Sequence, residues 1–154
     1  MIGGVNVTGA IEIDVQDEAL LAALQTKSDQ MPDKLNDLVN EAGFIVQRHA
    51  VEEAPRRTGN LKGSIRVEEN GPLSRIVYPD QGVAPYALYV ILGTAPHTIQ
   101  GNPWLYWDGA EHPVRQVQHP GTAPNPFLDE ASDASDAEID AEVERFEQWC
   151  TDFG

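Results

Sequence analysis

Three histidines, His97, His112 and His119, fall in one stretch of this 154-residue chain together with Asp108 and Glu111. Imidazole and carboxylate are zinc ligands, and three of them around an open position would make a metal-dependent hydrolase. The spacings of 15 and 7 residues match no established ligand pattern, and each histidine abuts a proline. The hydrolase is therefore a rival reading, and the expectation is no metal site, no cofactor and no catalysis. Cys150 would need a histidine beside it to serve as a nucleophile. It continues the helical spacing of Ile139, Val143 and Phe146, which predicts a buried thiol. A single cysteine also excludes an internal disulfide and a multi-cysteine metal site. Thr58-Gly59-Asn60-Leu61-Lys62-Gly63 superficially looks like a phosphate-cradling loop, but its spacing is wrong. There is no metalloprotease His-Glu pattern and no Gly-x-Ser-x-Gly elbow. Asp133, Asp136 and Asp140 lack the glycine turn and closing glutamate of a calcium loop, so they are read as a solvated face.

The charge balance excludes further classes. Twenty-five acids against ten bases give a net charge of −15. DNA affinity comes largely from Lys and Arg neutralising phosphates, so specific nucleic-acid binding and attachment to anionic membranes are both disfavoured. The amino-terminal residues lack the basic and apolar stretches of a secretory signal, and no apolar run approaches the ~20 residues that span a bilayer. A soluble, intracellular protein is expected. Only Lys27, Lys34 and Lys62 are lysines, and a Lys-poor, acid-rich surface suits molar salt, where screening shrinks to ~3 Å. A halophilic origin follows as an expectation.

The elements that would position any site are legible in part. Within residues 5–15, Ile11-Glu12-Ile13-Asp14-Val15 alternates cleanly as a half-buried strand. Asp17 and Glu18 open a helical run through Leu20, Leu21 and Leu24, which Met31-Pro32 interrupts, so two helices are expected. The second, over 33–54, carries Leu35, Leu38, Val39, Ala42, Ile45, Val46, His49 and Ala50 on one face and ends before Pro55. Residues 55–126 hold ten of the eleven prolines and mark strand-and-loop territory. Residues 64–69 and 73–78 read as a hairpin around Asn70-Gly71, and 84–92 as a short apolar helix or strand, with helix preferred, stopped by Gly93. The acidic tail keeps apolar residues at helical spacing, which predicts a docked amphipathic helix over about 127–150. The expected whole is a single α+β domain over 1–154: a small antiparallel or mixed sheet of about four strands against one long helix and a C-terminal amphipathic helix.

From 81 to 107 there is no Asp, Glu, Lys or Arg, while two of three tryptophans and three of four tyrosines lie there. For 86–92 the expectation is that these residues line the core. For 95–107, prolines and glycines make deep burial of a loop costly, and an apolar loop left outside marks a contact surface. His97, Ile99, Trp104, Leu105, Tyr106 and Trp107 are the expected interface residues, with the aromatics as anchors.

Three phrases carry a resemblance. Pro55-Arg56-Arg57-Thr58-Gly59-Asn60-Leu61-Lys62-Gly63-Ser64-Ile65 follows a long helix, Tyr86-Ala87-Leu88-Tyr89-Val90 leads to Gly93-Thr94, and His119-Pro120-Gly121-Thr122-Ala123-Pro124-Asn125-Pro126-Phe127-Leu128 opens the last helix. In this order and spacing, over about 35–131, the chain resembles the head–tail joining, or tail-completion, neck proteins of long-tailed phages. It departs from them at Ile91-Leu92, where the family commonly has an acidic residue before Gly-Thr, and in its longer acidic terminal helix. The resemblance implies a structural, non-enzymatic virion subunit made in the host cytoplasm. It implies a homo-oligomeric ring, guessed as a hexamer, against neighbouring neck, connector and tail-tube proteins. A tail terminator or stopper ring is the alternative on a similar scaffold. In the residues themselves, Thr58 can cap a turn, Gly59 permits a sharp exit from the helix, and the prolines at 120, 124 and 126 stiffen an elbow.

Overall fold

A computed structural model of the chain describes residues 17–56 and 59–152. The strand expected at 11–15 and the capping role of Thr58 lie outside the described residues. The element order is α1 (Glu18–Glu53), α2 (Asn60–Ser64), β1 (Ile65–Glu69), β2 (Arg75–Pro79), α3 (Ala87–Leu92), β3 (His97–Leu105), β4 (Val114–His119) and α4 (Phe127–Thr151).

α1 starts where Asp17 accepts a hydrogen bond from the Leu20 amide at 3.0 Å, satisfying one of the open donors of the first turn. It ends at Ala54, pushed to ψ 134° by the following Pro55. Where two helices were expected, α1 is one 36-residue helix with Pro32 inside it. A proline within a helix removes one hydrogen bond and costs about 3 kcal/mol. Pro32 and Ser28 are both exposed, so water can satisfy the carbonyl that loses its donor, and α4 packs along the turns that follow.

β1 and β2 form an antiparallel hairpin with Ile65 opposite Pro79 and Glu69 opposite Arg75. Gly71 at φ 102° turns the chain between them. α1 lies close on this hairpin because Gly43 has no Cβ: one there would meet Val67 Cγ1 at 3.0 Å. Gln47 donates to the Ile65 carbonyl at 2.8 Å, and the Arg75 guanidinium reaches Asn36 and Asn40 at 2.6 and 2.7 Å. The single sheet of about four strands is not what forms. Among the described residues β3 and β4 pair only with each other, giving two separate two-stranded antiparallel sheets.

α4 runs antiparallel to α1. Glu138 meets Arg48 and His49 near one end, and the Trp149 carbonyl takes the Lys27 ammonium near the other. Between the helices and β1 lies a small core of Ala50, Ala54, Leu61, Ile65, Ala84, Ala87, Phe127 and Ala131. Phe127 is the one aromatic among them. The buried hydroxyls of Ser64 and Ser135 donate to the Leu61 and Ser132 carbonyls, both at 2.7 Å. Cys150 is a free thiol and only half-buried, because the seam at that end of α4 faces the thinner, more exposed half of α1.

Candidate protein–protein interface

The stretch expected as an uncharged loop is largely strand β3, because β4 supplies the backbone partners that a loop would lack. His97 pairs with His119, Ile99 with Val117 and Leu105 with Val114. Between Gln100 and Leu105 the register breaks in a bulge that folds back on Gly101, where a Cβ would sit 2.6 Å from the Trp104 carbonyl carbon. No residue of β3 or β4 is buried. Trp104 is 53% exposed, with Arg115 over its ring at 5.0 Å, and Tyr106 is 71% exposed. Trp107, also exposed, begins the tip turn, its carbonyl accepting from the Ala110 amide at 2.9 Å with Gly109 at φ 89°. The hairpin is thus an arm with apolar side chains on both faces and no interior.

Two of the three histidines meet at its base. The His97 and His119 rings lie 5.1 Å apart. His97 Nδ1 donates to the Ala95 carbonyl at 2.8 Å, and His119 Nδ1 accepts from the Gly121 amide at 3.1 Å. These bonds commit one nitrogen of each ring to the local backbone. His112 sits beyond the tip turn at the far end of the arm, so the structure does not assemble the three. Among the described residues, no group of three or more His, Cys, Asp or Glu is placed to hold a metal ion.

The arm is rooted by two Gly-Thr pairs. Thr94 and Thr122 exchange backbone hydrogen bonds at 2.9 and 3.0 Å as an isolated antiparallel bridge. Gly93 at φ 69° and Gly121 at φ 89° flank it. A Cβ on Gly93 would overlap the Thr122 carbonyl oxygen, and one on Gly121 the Thr94 carbonyl oxygen. Each strand's approach therefore requires the other's glycine. Beyond the bridge, the Asn125 amide donates to the Val90 carbonyl at 3.0 Å, and Pro120, Pro124 and Pro126 carry the chain to α4.

The three phrases meet around one cleft of about 530 Å³ at this root. Pro55, Gly59 and Leu61 supply one wall, Tyr86, Tyr89, Val90 and Thr94 a second, and residues 122–125 a third. Gly59 at φ 86° turns the chain into α2. Leu61 also belongs to the core, where Ser64, Ile65 and Phe127 are buried. The expectation that residues 86–92 line the core holds only for Ala87 among the fully buried side chains. α3 is too short to bury more than one face, and Tyr86, Leu88, Tyr89 and Leu92 are exposed, Leu92 by 70%. Thr94 Oγ1 and Asn125 Oδ1 are shut off from solvent with no partner among the described residues. Val90, Ala123 and Asn125 stood within the quoted phrases without being placed around one cleft. The repeated Gly-Thr dipeptide at 93–94 and 121–122 was the signal that would have joined them.

Residues 18–93 match the HK97-gp10-like family, described as "Bacteriophage HK97-gp10, putative tail-component". No curated protein and no solved structure matches the chain. The match runs from the first turn of α1 to the glycine at the root of the arm; the third phrase and the arm lie beyond it. Across residues 18–93 the chain is similar to the HK97-gp10-like family of putative phage tail components.

Proposed function

We propose that the chain is a structural subunit of the head–tail neck of a tailed virus, and that it forms a ring in which the β3–β4 arm of each copy docks on a neighbour. Similarity over residues 18–93 to a putative tail-component family supports a structural role in the phage tail or neck. The observation that carries the finer reading is the arm's lack of any buried residue. A two-stranded hairpin is at best marginally stable in water, and large exposed aromatics are the residue type that dominates interface energetics. Docked on another subunit, Trp104, Leu105, Tyr106 and Trp107 gain the interior that their own fold does not provide. Ile99 and His97 lie nearer the base and complete the surface.

The net charge of −15 shapes where this happens. Like-charged subunits repel over about 10 Å at 0.1 M salt and over about 3 Å at 1 M. Assembly in molar salt, in a virus of a salt-loving host, is the setting that tolerates such a surface. Among the described residues, no helix is long and apolar enough to cross a membrane.

Light scattering in molar potassium chloride tests the reading, wild type beside Trp104→Ala/Trp107→Ala. A closed oligomer that the double substitution reduces to monomer, and that loosens when the salt is lowered tenfold, is the expected result. An oligomer unaffected by the double substitution would show that the arm is not the contact. The protein should also be found in intact virions, at the head–tail junction.

A further inference from the structure

We propose that the socket for the arm is the cleft at the arm's own root, on the next copy: the tip of one subunit enters the Pro55/Leu61/Tyr89/Pro124 cleft of its neighbour. This rests on the arm-mediated assembly proposed above and names the surface that receives it.

Three observations converge on this occupant. The first is reach. β4 is six residues long, so tip and root are roughly 20 Å apart in one hairpin. A subunit cannot place its own tip in its own cleft while the hairpin is paired, so the cleft is available to another copy. The second is surface chemistry. The cleft is lined mainly by apolar and aromatic side chains, and about 530 Å³ lies within the size of pockets that enclose compact apolar groups. Trp107, partly exposed at the start of the tip turn, is such a group.

The third is charge. Residues 54–67 contain four bases, Arg56, Arg57, Lys62 and Arg66, and no acid, in a chain of net charge −15. Pro55 and Leu61, beside Arg56 and Lys62, line the cleft. The tip carries Asp108 within its turn and Glu111 just after it, and no Lys or Arg between 98 and 114. Two copies of so acidic a protein meet most favourably where apolar surface faces apolar surface and the flanking charges are opposite. A tip-to-root contact joins different surfaces of identical chains, so it is head-to-tail and propagates until it closes as a ring.

Two variants in a Cys150→Ser background test the contact while keeping Trp107 and the cleft walls: Ala110→Cys at the tip and Ala123→Cys at the cleft. Each is purified in molar potassium chloride, checked for assembly by light scattering, and treated with a short bis-maleimide alone and after mixing. The expected product is a covalent dimer containing one chain of each kind, formed only in the mixture. The double variant should give a ladder ending at the copy number of the ring. Reversing the tip charges with Asp108→Arg/Glu111→Arg should weaken assembly at lowered salt, and mixing with Arg56→Glu/Lys62→Glu should restore it. Assembled protein that yields no mixed dimer, or that links Ala110→Cys to itself, overturns the socket and leaves arm-mediated assembly standing. Absence of any assembled species overturns both.

Discussion

The body around Phe127 and the β3–β4 arm are built on opposite principles. In the body, α1, α2, β1 and α4 each contribute a face to one interior, and small alanines at 50, 54, 84, 87 and 131 let their backbones close around Phe127 and Ile65. In the arm, β3 and β4 pair with each other on either side of the bulge at 101–104, yet bury no side chain. The body has its hydrophobic term within the monomer, whereas the arm leaves its apolar side chains exposed, and under the proposed assembly they would be covered by a neighbouring copy. An aromatic truncation should therefore register in different experiments at the two places. Phe127→Ala should cost about 3–5 kcal/mol of folding stability, lowering Tm by roughly 10 °C or more in a thermal melt of the monomer. Tyr106→Ala should change that melt by less than ~0.5 kcal/mol. Equal effects would mean that the arm is part of the body's cooperative unit and the contrast is false.

The root joining the two regions sharpens the comparison. Gly121→Ala adds a Cβ that meets the Thr94 carbonyl and the Ala95 carbonyl carbon, on top of an unfavourable positive φ. A loss of about 2 kcal/mol or more is expected, concentrated at the root. It should appear as faster hydrogen exchange at the Thr94 and Thr122 amides, which form the bridge. Gly59→Ala is the control. Its φ is also positive, at 86°, but nothing lies within 4 Å of the added carbon, so about 1 kcal/mol of backbone strain is all it should cost. Were the two substitutions equally costly, the interlocked glycines would not be what holds the arm.

What was legible in the sequence follows the same division. Periodic burial wrote itself into the second half of α1 and into α4, because helices that share an interior must keep apolar residues on one face. The Asn70-Gly71 hairpin and the stop at Gly93 were readable because turns demand particular residues. Pro32 misled, since proline's cost is fixed locally while tertiary packing decides whether a helix continues through it. β3 escaped recognition because its alternation is broken by the bulge at 101–104, and neither of its faces is buried to impose a pattern. Residues 86–92 looked like core for a related reason. Apolar side chains on a short helix have the same composition whether their partner is the same chain or another.

The smallest of the expected effects concerns how α4 is clasped to α1. Glu138 accepts a hydrogen bond from His49 at 2.9 Å and pairs with Arg48, and these contacts hold its carboxyl below the ordinary value of 4.5. A depressed folded-state value means the clasp stabilises the fold above that ordinary value and is lost as pH falls through the lowered one. Acid also discharges the other carboxylates of this chain and relieves their repulsion, so the pH dependence of the wild type alone mixes two opposing trends. The difference between wild type and Glu138→Gln isolates the clasp. The gap between their denaturation midpoints should be open at pH 6 and narrow steadily towards pH 3. Because the pair lies on an exposed surface, the gap should also shrink in molar salt, whereas the deficit of Phe127→Ala should not. A gap that ignores both pH and salt would assign Glu138 to packing rather than charge, and would extend the body's apolar logic to the charged clasp between α1 and α4.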